Sequence, residues 1–197
     1  MQTTFNDIVE DFIFNKIGIS DNFLSIDLAK KLKGNLNDLL NHQKLKNAGI
    51  GNLVDFQNDK LIRNDSIYWL DRSHNNKFEN EFLDLIDTFV TFLNETCFTG
   101  ITSYEFHYAL FPIGSFYRKH IDQFKSDDSR QFSMIFYLNA DWKIGDGGEL
   151  NVFHESCIQS ITPTNCKAVF FKSNELAHEV LETLVPRMSI TGWLKRN

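Results

Sequence analysis

Along the 197-residue chain the spacing of apolar positions changes character near Gly100. Before it the period is mostly helical. Leu28, Leu32, Leu36, Leu39 and Leu40 recur three or four residues apart, and Ser25 stands where a capping hydroxyl would begin such a run. A helix is therefore predicted from Ser25 to about Leu45, weakened by Gly34 inside it and ended by the Gly/Asn turn Asn47 to Asn52. A second helix is predicted from about Asn76 to Thr96. Its broad stripe of Phe78, Phe82, Leu85, Ile86, Phe89, Phe92 and Leu93 reads as core. Between the two, Ile67 and Trp69 alternate with polar neighbours, as in a strand, within Ile62 to Asp71. Residues 1–20 are weakly patterned and predict no more than a short helix or strand.

Beyond Gly100 the period becomes that of strands. Eight short β-type runs follow, separated by Gly, Pro, Asn and Asp: YEFHYALF, FYRKHID, FSMIFYLN, GELNVF, CIQSI, KAVFF, AHEVL and RMSITGW. Regular short strands with such punctuation predict a β-sandwich or barrel such as a jelly roll. No repeat or linker divides the chain. The expectation is one domain over residues 1–197, mainly β with N-terminal helices: a helix-rich half to about 100 bracing a β core over about 104–197.

Composition narrows the setting. The 42% hydrophobic and 23% charged content is that of a globular protein, and nineteen Phe suit packing between β faces. A net charge of −6 argues against a nucleic-acid partner. Three cysteines with no CxxC pair point away from a disulfide framework and toward a reducing, cytoplasmic setting. The acidic N-terminus is no secretory signal. No apolar run approaches the ~18 residues of a membrane span.

The candidate chemistry lies in Phe111 to Asp122, FPIGSFYRKHID. His120 and Asp122 are two apart, so on an extended strand they would project from one side. With a second imidazole they could form a two-His-one-carboxylate face that leaves the far side of a metal open, as in non-haem Fe(II) sites. HxD alone is weak, since a chain with six His carries one by chance about half the time. The set is stronger. His178 opens a β-type run, and Arg187 follows nine residues later on what should be the adjacent strand. A buried Arg needs an anion: either an internal salt bridge to Glu179 or Glu182, or a bound dicarboxylate met by its planar fork. The glycines of DGGEL (146–150) read as a tight turn. Tyr137 could offer a phenol to a ligand, and Trp193 could line a pocket or anchor the core. His42 and His74 read as solvent-facing, His107 and His154 as structural.

HxD, then His, then Arg nine residues on, then S-x-T-x-W resembles the Fe(II)- and 2-oxoglutarate-dependent oxygenases, and more narrowly the prolyl-hydroxylase branch that includes the oxygen-sensing enzymes and their small bacterial relatives. DNFL (21–24), IRNDSIYWL (62–70), FPIGSFYRKHID (111–122), YLNADW (137–142), DGGEL (146–150) and HEV (178–180) resemble segments of that branch in this order. The resemblance implies a double-stranded β-helix fold with Fe(II) on His120, Asp122 and His178. It implies 2-oxoglutarate and O2 as co-substrates, with Arg187 and Tyr137 on the distal carboxylate and Leu150, Val180, Thr191 and Trp193 lining the pocket. Arg63, Asp65, Tyr117 and Arg130 match positions near a target-peptide groove. The implied activity is hydroxylation of a protein, most often at a prolyl residue, with release of succinate and CO2 and with ascorbate supporting turnover.

There are two departures: Phe111-Pro112 where the branch often has Tyr-Pro, with Tyr108 the candidate replacement phenol, and Asn64 where it often has Gly. Competing readings are the same chemistry on a free amino acid or other small molecule, and a non-catalytic jelly-roll binding module. A nucleic-acid demethylase fits less well, because the second Arg typical of that branch is Trp193 here. A long loop between Gly51 and Ser66 would favour a polypeptide target.

Overall fold

The computed structural model describes residues 2–49, 62–123 and 127–196. The chain begins with helix α1 (Gln2–Asn15) and strand β1 (Ile17–Ser20). Phe5, Ile8 and Val9 of α1 are buried, and Phe12 packs beside them. This spacing of three, one and three residues is the helical stripe that the sequence reading of residues 1–20 undervalued. Helix α2 (Ile26–Asn41) starts as expected, with Ser25 Oγ accepting from the Leu28 N–H, but stops four residues before Leu45. Gln43 turns left-handed there, at φ 54°.

Strands β2 (Lys46–Asn47) and β3 (Ser66–Trp69) follow, and β3 is shorter than the Ile62–Asp71 run that predicted it. Arg63 bridges instead to Tyr117, so the chain leaves one sheet for the other between them. Helix α3 (Lys77–Cys97) is capped by Asn76, whose side chain accepts from the N–H groups of Phe78 and Glu79. The α-helices thus number three among the described residues, the two longer ones expected and α1 within residues 1–20.

All eight predicted β-type runs are strands: β4 (Ser103–Phe111), β5 (Tyr117–His120), β6 (Arg130–Tyr137), β7 (Leu150–Phe153), β8 (Ile158–Ile161), β9 (Ala168–Lys172), β10 (Ala177–Val180) and β11 (Arg187–Lys195). They form two sheets, ordered β1-β9-β6-β11-β4-β3-β2 and β5-β10-β7-β8, antiparallel at every pairing. β10 and β11 lie in different sheets, which corrects the expectation that Arg187 sits on the strand adjacent to His178. Two antiparallel sheets face to face make the jelly roll.

The large sheet has two covered faces. On one, the helices bury Phe82, Phe89, Phe106, Phe136 and Phe170 in an aromatic core where rings meet mostly edge to face; Phe82 lies 5.1 Å from Phe136 at 85°. On the other, the small sheet encloses Ala109, Phe111, Ile135, Tyr137, Leu150, Val152, Phe171 and Val180. The alternation of each strand sends one set of side chains to each core, and every candidate ligand belongs to the second. No helix of the described residues is long and apolar enough to cross a membrane.

Candidate active site

His120 and His178 are cross-strand partners on β5 and β10, so the small sheet itself brings the two imidazoles together, with ring centroids 4.3 Å apart. Each Nδ1 lies against the carbonyl two residues earlier, His120 on Arg118 at 2.7 Å and His178 on Leu176 at 3.1 Å. A carbonyl only accepts, so both Nδ1 atoms carry the proton and both Nε2 lone pairs are free. Asp122 lies beyond the end of β5, not on it as the two-residue spacing suggested. It still converges: Asp122 Oδ1 is 3.4 Å from His120 Nε2 and 3.6 Å from His178 Nε2. Ligand bonds of about 2.1 Å put neighbouring ligands at right angles about 3 Å apart, so the three atoms can share one ion. They form the one His/Cys/Asp/Glu group among the described residues that could hold a metal.

Protonation states agree. Burial alone would raise the Asp122 carboxyl, but the His178 and His120 imidazoles and the Ser133 hydroxyl outweigh it and hold the group well below the usual carboxylate range. Burial lowers His178 to about 4, against the opposing pull of Asp122. An ionised Asp122 carboxylate beside a neutral His178 imidazole suits a divalent cation.

Across the interior from the small sheet lies Arg187, only 2% exposed. Its Nε donates to the Gly148 carbonyl at 2.8 Å, and its guanidinium lies 5.0 Å from the Phe111 and Tyr137 rings. The internal salt bridge is absent among the described residues: the Glu179 carboxylate accepts instead from Asn151. Arg187 Nη2 and Tyr137 Oη are buried with no partner. Burial drives the guanidinium pKa down and the Tyr137 phenol up, each softened by the other. Buried donors that have only each other's approach in place of a well-formed hydrogen bond are costly unless a ligand meets them, and a carboxylate would suit both.

DGGEL also proves more than a turn. Gly148 has φ +74°, and a Cβ there would lie 2.9 Å from Arg187 Cδ and 3.0 Å from Thr183 Oγ1. Leu150 and Val180 are buried in the same interior. Thr191 and Trp193 share the inner face of β11 with Arg187, opposite Ile135 and Ser133 of β6.

The remaining candidates form two interlocked groups. Arg63 grips Asp65 with both prongs, at 2.8 and 2.6 Å, and lies 4.3 Å from the Tyr117 ring. Tyr117 in turn stacks on His120 at 3.6 Å. Arg130 pairs with Glu105 at 2.8 Å, stacks 3.4 Å over Trp193 and donates to the Asp122 carbonyl at 3.2 Å. Asn64 accepts the Phe116 N–H and so ties this segment to the start of β5. Tyr108 does not replace the missing phenol, because its hydroxyl meets Asn35 on the helix side of the large sheet. The Gly51–Ser66 loop lies outside the described residues as far as residue 61.

Sequence reasoning missed Ser133 and Ser173, both fully buried; Ser133 Oγ is 2.6 Å from Asp122 Oδ2 and 2.9 Å from Ser173 Oγ. A small hydroxyl, whether inside an apolar run as Ser133 or just after one as Ser173, carries no signal of its own. His107, expected to be structural, is a buried ring packed against Trp69 and Trp193 with Nδ1 unpartnered.

Two imidazoles and a carboxylate, the donor set that non-haem iron oxygenases use, meet in the jelly-roll interior as a group that could hold a metal ion, with a buried arginine and phenol across from them. The pattern of the 2OG-Fe(II) oxygenase superfamily matches residues 106–195. A Pseudomonas putida prolyl-4-hydroxylase is 31% identical, over 98% of this chain and 99% of its own, with a TM-score of 0.88. A Trichoplax adhaerens prolyl hydroxylase, solved with a hypoxia inducible factor oxygen degradation domain peptide, has the same fold at 24% identity and a TM-score of 0.88, over 98% of this chain and 90% of that one. A viral collagen prolyl hydroxylase from Paramecium Bursaria Chlorella virus-1, in its 2OG complex, shares the fold at 21% identity and a TM-score of 0.64, over 93% of this chain and 97% of that one. The chain belongs to the 2OG-Fe(II) oxygenase superfamily, in its prolyl-hydroxylase branch, and is a 2-oxoglutarate-dependent dioxygenase. Membership removes the non-catalytic binding module from consideration.

Proposed function

We propose that this enzyme hydroxylates a prolyl residue of a polypeptide, with Fe(II) on His120 Nε2, Asp122 Oδ1 and His178 Nε2 and with 2-oxoglutarate anchored by Arg187 and Tyr137. The observation that carries the co-substrate assignment is the pair of buried, unpartnered donors, Arg187 Nη2 and Tyr137 Oη. The likeness over nearly the full chain to a bacterial prolyl-4-hydroxylase carries the prolyl target. When bound, iron supplies the oxidising chemistry, in which O2 and 2-oxoglutarate are consumed, succinate and CO2 leave, and one oxygen atom goes to the substrate.

The chain's own groups set the stage. The Arg118 and Leu176 carbonyls hold the Nδ1 protons, keeping both Nε2 atoms aimed at the metal. Arg187 and Tyr137 fix the far end of the co-substrate by a charge-assisted fork and a phenol hydrogen bond. Leu150, Val180, Thr191 and Trp193 wall the pocket against water. Arg63, Asp65, Tyr117 and Arg130 frame the side from which a peptide approaches. Ascorbate serves to keep the iron reduced, and three free cysteines fit a cytoplasmic setting.

The test is mass spectrometry of a lysate of the source organism incubated with the enzyme, Fe(II), 2-oxoglutarate and ascorbate. Prolyl residues heavier by one oxygen atom should appear with the native enzyme and not with Asp122→Ala. Hydroxylated free amino acids or metabolites alone would support the small-molecule reading, and equal product from Asp122→Ala would sink the metal assignment.

A further inference from the structure

We propose that Ser173 and Ser133 form a hydroxyl relay that pins one oxygen of Asp122 and so restricts the carboxylate to one-oxygen ligation. This rests on the metal site proposed above. Asp122 needs such a device because it lies past the last residue of β5, where no ladder hydrogen bond fixes it. What holds it comes from the large sheet. Ser133, on β6, donates to Asp122 Oδ2 at 2.6 Å. Ser173, just past β9, lies 2.9 Å from Ser133 Oγ. An ionised carboxylate only accepts, so the single Ser133 proton is committed to Asp122 and Ser173 must donate to Ser133. The order Ser173 to Ser133 to Asp122 is thereby fixed, and each bond polarises the next toward the negative charge.

The backbone seconds this arrangement. The Gln123 N–H donates to the Ser173 carbonyl at 3.1 Å, and the Ser173 N–H to the Gln131 carbonyl at 3.0 Å. Arg130 holds the Asp122 carbonyl. Asp122 is therefore clamped at its carbonyl, at the following N–H and at Oδ2, and only Oδ1 is turned to the two imidazoles. Both serines are fully buried, so no solvent competes for these bonds. A carboxylate free to rotate could offer both oxygens to an ion and occupy a position that the co-substrate or oxygen needs. The relay forbids that rotation. Ser133 and Ser173 are positioning residues, acting through Asp122.

The test is anaerobic titration of the purified protein with Fe(II) and, separately, Mn(II), followed by 2-oxoglutarate. Ser133→Ala should weaken metal binding about tenfold or more, in line with the loss of other groups that orient a ligand. The visible absorption of the Fe(II)–2-oxoglutarate complex should also shift. Ser133→Thr, which keeps the hydroxyl, should restore both, and Ser173→Ala should give a smaller effect of the same sign. Should Ser133→Ala not fold, Ser173→Ala carries the test alone, because its hydroxyl is one bond removed from the carboxylate. Native affinity and an unchanged spectrum in the alanine variants overturn the relay while leaving the metal site standing. Absence of one-to-one metal binding by the native protein overturns both.

Discussion

His107 is a buried base without a base's work. Burial and the nearby Arg63 guanidinium lower its pKa to about 3, against about 6.5 for an exposed imidazole. Between those values the unfolded chain takes up a proton that the folded chain refuses. Its contribution is fully present above pH 6.5 and is lost as pH falls toward 3, with a slope of up to about 1.4 kcal/mol per unit. His178, lowered to about 4, adds to the same trend in metal-free protein. The urea midpoint of metal-free protein should therefore drop between pH 6.5 and 4.5, and His107→Phe should flatten the curve. A midpoint equally steep in the variant would mean that His107 is not the titrating group. The iron-ligand candidates were legible in the sequence because order and spacing are what mark them. His107 and the two serines were not, because their importance lies in what faces them across strands far away in the chain.

At the scale of elements, the strands were readable because alternation is local, and so was α3, with its cap and long apolar stripe. Pairing was not readable. Nothing in AHEVL or RMSITGW says that β10 and β11 join different sheets, since the partners lie up to about 90 residues away, as Lys195 and Ser103 do. The N-terminal pair shows the cost of a weak local pattern. α1 and β1 pack so closely that a Cβ on Gly18 would come 2.1 Å from the Ile8 carbonyl oxygen. A backbone atom cannot swing aside as a side chain can. Gly18→Ala should lower stability by about 1–3 kcal/mol or more, measured by chemical denaturation. An unchanged midpoint would show that α1 rides loosely on the sheet.

For the whole molecule, the two sheets divide the labour: the small one carries both histidines, and the large one carries Arg187, Tyr137 and the serines behind Asp122. Ligands that join the sheets should therefore stabilise the folded state as a unit. At a hundredfold excess over its dissociation constant a ligand adds about 2.7 kcal/mol, which for a chain of this size is about 5–10 °C in Tm. Mn(II) should raise the Tm of metal-free protein and 2-oxoglutarate should raise it further. In Arg187→Met the metal increment should survive and the second should vanish; a full second increment there would place the keto acid elsewhere.

The seat of Arg187 has one more consequence. Its Nε is held by a main-chain carbonyl, and the space beneath its side chain exists because residue 148 has no Cβ. Replacing a side chain cannot remove the carbonyl that holds Nε, and any residue but glycine at 148 would press on Arg187 Cδ, so the seat of the guanidinium tolerates little change. On the proposed reading, a switch to a shorter or longer keto acid would demand that the 146–150 turn be rebuilt, whereas the side chains proposed to meet a peptide, Arg63, Asp65, Tyr117 and Arg130, could change one at a time.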